Sequence, residues 1–142
     1  AQYESLAAKT PTDSSVLNNL AYLLAQGGVG PARSLEYARK AYELRPNSAV
    51  ILDTYGYVLH QDGRHLEALE MLSAACQQFR IYDGAVPADV YEHLGMVREA
   101  LGDKAKALRE YQQALDAGTR PGGRLPAKTG SRIRAAMERL RP

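Results

Sequence analysis

The side chains best suited to metal ligation or nucleophilic attack in this 142-residue chain are three histidines and one cysteine, His60, His65, His93 and Cys76. Their spacing does not assemble a recognisable ligand set. His60 and His65 stand five positions apart and so fall on different helix faces. Cys76 lies in an apolar stripe, where it reads as a small buried residue and not as a nucleophile. As the only cysteine it cannot form an intrachain disulfide, so the fold must rest on packing. The stretch Gly123-Arg124-Leu125-Pro126-Ala127-Lys128-Thr129 superficially resembles a phosphate loop, but it lacks the glycine before the lysine and a preceding strand. The expectation is therefore no catalytic residue, no metal site, no cofactor and no small-molecule substrate.

The elements around these residues are more informative than the residues themselves. Hydrophobic content of 45% and charge of 24% are those of an ordinary globular chain, long enough for one domain with a substantial core. No run approaches the length needed to span a bilayer. Leu52, Tyr55, Gly56 and Leu59 fall at i, i+3, i+4 and i+7, one face of a helix with Ser48 as its N-cap. Gly63 ends it, and Leu66, Ala68, Leu69, Leu72, Ala75 and Cys76 form the stripe of a second helix. The same pair is written with Leu17, Leu20, Ala21 and Leu24, then, after Pro31 at a first helical position, Leu35, Ala38, Ala41 and Tyr42. It recurs with Tyr91, Leu94, Gly95 and Arg98, then Ala107, Leu108, Tyr111, Ala114 and Leu115, where Arg98 in place of leucine predicts a looser or outward-facing contact. A glycine inside a helix costs roughly 1 kcal/mol against alanine, so Gly56 and Gly95 predict a close approach between paired helices.

These units resemble tetratricopeptide repeats across residues 11 to 118, in the small residue of each first helix, the turn glycines Gly27, Gly63 and Gly102, and the second-helix alanines Ala41, Ala75 and Ala114. The resemblance implies an all-α right-handed superhelix, with repeats at 14–46, 49–84 and 88–118 in a single domain 1–142. Ala41 to Gly56 spans the 15 residues the pattern requires, whereas Ala75 to Gly95 spans 20, so the second helix of the middle pair should run on through Tyr82 and stop near Gly84. Tyr3, Leu6 and Pro11 match the end of a preceding repeat over residues 1–10, which reads as a piece of a longer, bacterial-type array. Ile133, Ala136, Met137 and Leu140 read as a terminal capping helix at 126–141.

In tetratricopeptide arrays the first helix of each pair lines a concave groove, and the resemblance carries ligand contacts onto Asn18, Tyr22, Gln26, Asp53, Tyr57, His60, Gln61, Glu92, Met96 and Glu99. That face is polar to acidic, with two tyrosines and a methionine, and suits a partner peptide or helix bearing basic and apolar groups. The lysine, asparagine and arginine clamp of chaperone-tail binders is not reproduced, since the matching positions carry Asn18, Tyr22, Thr54, Asp89 and His93. The expected function is a protein-interaction scaffold. A rival lies in the tail, where seven basic residues from Arg120 to Arg141 face one acid, Glu138, in a chain of net charge +2. Such a segment could meet nucleic acid or an anionic surface, but no aromatic residue follows Gly118 to stack on bases. A third reading is self-assembly into a homo-oligomer through the end helices. The compartment, cytoplasm or bacterial periplasm and envelope, is left open.

Overall fold

The computed structural model describes residues 13–28 and 30–142; the Tyr3, Leu6 and Pro11 match lies outside them. Among the described residues there are seven helices and no strand: α1 (Ser14–Gln26), α2 (Pro31–Leu44), α3 (Ala49–Gln61), α4 (His65–Asp83), α5 (Ala88–Ala100), α6 (Lys104–Thr119) and α7 (Ala127–Leu140). The chain divides into two compact units, the boundary falling within α4 between Ala75 and Cys76.

In the first unit local chemistry sets the helix limits. The Asp13 carboxylate accepts hydrogen bonds from the Ser15 and Val16 amides and caps α1, and the Ser48 hydroxyl accepts one from the Ile51 amide and caps α3. Pro31 opens α2, where an amide proton would have no partner. α3 closes in a Schellman motif: the Gly63 amide donates to the His60 carbonyl and the Arg64 amide to the Leu59 carbonyl, with Gly63 at φ +82°. α1 packs on both α2 and α3. Two clusters hold them, Leu17, Leu20, Ala41 and Ile51, and Ala21, Ala25, Ala38 and Val58. Burying each leucine contributes roughly 2 kcal/mol, and the alanines let the helices approach.

Gly56 has the packing reason its recurrence suggested. A Cβ there would lie 2.6 Å from Leu72 Cγ and 3.3 Å from the Ala68 carbonyl oxygen, so a large side chain of α4 sits directly on the bare backbone of α3. Leu66 departs from expectation: it is 70% exposed. The buried stripe of α4 within this unit is Ala68, Leu72 and Ala75, and Leu66, two positions before Ala68, points away from it.

In the second unit the same pairing recurs between α5 and α6, and α7 packs on α6. Gly95 lies beneath the Tyr111 ring, 2.5 Å from where its Cβ would be. The Asp103 carboxylate caps α6 through the Lys106 amide, and Ile133, Ala136 and Met137 bury the apolar stripe of α7. α4 extends to Asp83 and is followed by Gly84 at φ +73°, so the five extra residues lengthen a helix. Arg98 does not turn outward. It is half-buried, its Nε is buried without a hydrogen-bond partner among the described residues, and its charge acts on Glu110 of α6.

Candidate functional site

The candidate partner contacts sort by unit. In the first, α1 supplies Asn18, Tyr22 and Gln26 at intervals of four, and α3 supplies Asp53, Tyr57, His60 and Gln61. The Tyr22 and Tyr57 rings stand 6.0 Å apart between centroids at 45°, both half-buried, a tilted aromatic pair built from two first helices. Gln61 fixes it: its Nε2 donates to the Tyr57 hydroxyl at 3.1 Å and to the Ala25 carbonyl of α1 at 3.3 Å. Gln26 is exposed, Asp53 is 9% exposed and Asn18 7%. The Asn18 Oδ1 is buried and accepts no hydrogen bond among the described residues, which costs free energy unless a donor reaches it.

His60 and His65 correct the sequence expectation. Their Nδ1 atoms lie 3.0 Å apart and their ring centroids 4.9 Å. The different-faces argument assumed one continuous helix, but the turn at Gly63 separates α3 from α4 and brings the end of one helix against the start of the next.

In the second unit the acidic candidates are already engaged by the basic tail. Glu92, 6% exposed, takes a bidentate pair from Arg132, with Nε to Oε2 at 3.0 Å and Nη2 to Oε1 at 3.1 Å. Glu99 takes Arg139 Nη2 at 2.9 and 3.0 Å and the Tyr111 hydroxyl at 2.7 Å. Both pairs are 40 residues apart. With the glutamates one heptad apart on α5 and the arginines one heptad apart on α7, the two helices run parallel, as successive first helices of a repeat array do. Burial first, and then the Glu99 carboxylate, raise the Tyr111 pKa far above the ordinary tyrosine value. Met96 is half-buried between the two glutamates along α5. Sequence reasoning carried the positions of Glu92 and Glu99 but not their partners. The available signal was matched heptad spacing, Glu92 to Glu99 and Arg132 to Arg139.

Among the described residues no group of three or more metal-ligating side chains gathers, and no helix is long and apolar enough to cross a membrane. A cleft of about 350 Å³ lies between α6 and α7, lined by Gln112, Leu115, Arg134, Met137, Glu138 and Arg141.

A sequence model of the tetratricopeptide repeat matches residues 47–120. TPR repeat-containing protein PA4667 of Pseudomonas aeruginosa is 30% identical over 88 residues, 62% of this chain but only 14% of that protein. Solved structures share the fold along nearly all of the chain. Pseudomonas aeruginosa pilF superposes with a TM-score of 0.73 at 22% identity, covering 97% of this chain and 56% of that one. YrrB, a TPR protein with an unusual peptide-binding site, superposes with a TM-score of 0.69 at 21% identity, covering 99% and 64%. The first TPR of Spaghetti (RPAP3), bound to an HSP90 peptide, does so with 0.67 at 16% identity, covering 89% and 94%. With its paired helices, Gly56 beneath Leu72 and Gly95 beneath Tyr111, and a family match over more than half its length, the chain belongs to the tetratricopeptide repeat family, an all-α solenoid fold whose surfaces serve protein interaction.

Proposed function

We propose that this chain is a non-catalytic protein-interaction module that binds a peptide or helix of a partner protein along the Tyr22 and Tyr57 face of its first unit. The observation that carries this reading is the aromatic pair itself, 6.0 Å between centroids and braced by Gln61. Two tyrosines held in place offer contact area with little entropy left to lose on binding. The Asn18 acceptor on α1, without a hydrogen-bond donor among the described residues, favours a ligand that brings one, an amide or basic side chain. Glu92 and Glu99 serve as docking points for α7 in this reading, and Met96 lies between them.

The pairing of Arg132 and Arg139 with those carboxylates also weighs against polyanion binding, because two cations of the tail are committed within the fold. The test is a peptide library displayed against the intact chain. Peptides selected by the wild type should bind Tyr22→Ala with Tyr57→Ala at least about tenfold more weakly, a loss of about 1.4 kcal/mol. Unchanged affinity in that double variant would place recognition elsewhere.

A further inference from the structure

We propose that His60 and His65 form a two-imidazole site for a divalent transition-metal ion of the copper, nickel or zinc class. The separation of the two Nδ1 atoms, 3.0 Å, is the first ground. Two nitrogens each about 2.0–2.1 Å from one metal, at an angle of roughly 90–110°, lie about 2.9–3.4 Å from each other. The pair thus already has the bite that cis square-planar or tetrahedral coordination asks for. In the metal-free protein one Nδ1–H donates to the other Nδ1. With metal bound, both rings carry their proton on Nε2 and both Nδ1 lone pairs face the ion, so the exchange is a change of tautomer with no net loss of a proton.

The second ground is rigidity. His60 lies in the last turn of α3 and its carbonyl accepts the Gly63 amide within the Schellman motif, while His65 is the first residue of α4. Four residues, Gln61 at the end of α3 and the turn from Asp62 to Arg64, separate the two histidines, both of which are half-buried. A ligand pair held this way loses little freedom on binding metal. Third, the nearby cation is offset: Arg64 is paired with Glu67 at 3.0 Å. Imidazole suits copper, nickel and zinc in preference to magnesium or calcium, and two ligands leave coordination positions for water or for a donor from another molecule. This site is independent of the peptide-binding reading.

The test uses the intact chain stripped with EDTA and titrated with copper(II), nickel(II) and zinc(II) by calorimetry. The wild type should bind one equivalent of at least one of the three. His60→Gln and His65→Gln should each weaken that binding by at least about 10–100-fold, the loss that even outer-shell changes cause at metal sites. No binding of any of the three ions, or equal binding by folded variants, overturns the proposal. Should either variant lose its far-UV circular dichroism, the wild type alone decides: substoichiometric copper(II) should broaden the imidazole resonances of His60 and His65, and sparing both overturns it.

Discussion

Tyr111 carries three duties at once. Its ring covers Gly95, its hydroxyl donates to Glu99, and it is almost wholly buried. Tyr111→Phe keeps the ring and removes the charged hydrogen bond, so it should cost about 1.5–3 kcal/mol in urea unfolding at neutral pH. The raised Tyr111 pKa has a definite sign: its contribution is intact below the ordinary tyrosine value of about 10 and is lost as pH rises above it, because the unfolded chain ionises first. The phenylalanine variant should therefore lose less stability than the wild type between about pH 9 and pH 11. Glu110 works in the same direction at lower pH. Its pKa is raised by burial, against the opposing pull of Arg98, Arg80 and Arg109, so stability falls as pH rises through its range. Glu110→Gln should remove that slope, its stability relative to wild type rising between about pH 4 and pH 7. A slope that persists in the variant would assign it to another group.

At the scale of elements, the paired helices rest on a residue with no side chain beneath a large one. Alanine at position 56 or 95 would favour its helix by roughly 1 kcal/mol, but its Cβ would meet Leu72 or Tyr111 at 2.6 and 2.5 Å. Overpacking of this kind costs about 1–3 kcal/mol, so Gly56→Ala and Gly95→Ala should both lower the urea midpoint. The docking of α7 depends on two ion pairs of unequal weight. Arg132→Ala leaves the nearly buried Glu92 carboxylate without its bidentate partner, whereas after Arg139→Ala Glu99 keeps the Tyr111 hydroxyl. The first should cost about 1–3 kcal/mol and the second about 1 or less. Hydrogen exchange should quicken first in α7; equal effects from the two substitutions would remove this ranking. Much of this level was legible beforehand. The stripes Leu52 to Leu59 and Ala107 to Ala114, the Ser48 cap, Pro31 and the long α4 follow from helical periodicity and end chemistry, which are local. Leu66 was misread because an apolar residue beside a stripe looks like part of it until the partner helix selects a face.

For the whole molecule, the question is which surface meets another. If the basic tail served polyanions, heparin retention would persist at about 0.15 M salt and fall with each arginine removed. With Arg132 and Arg139 committed to Glu92 and Glu99, retention should be weak, and neither substitution should reduce it. Light scattering over a wide concentration range checks the self-assembly reading, which predicts a size that grows with concentration. The sequence by itself determined the repeat, the helix pairing and hence the family, because each repeat writes the same short-range pattern of stripe, small residue and turn. Only the tertiary structure decided which polar groups are spoken for. Glu92 meets Arg132 across 40 residues, Arg98 is half-buried where its charge acts on Glu110, and His60 meets His65 across a turn. Periodicity places a residue on its own helix; what stands opposite depends on how that helix packs against another.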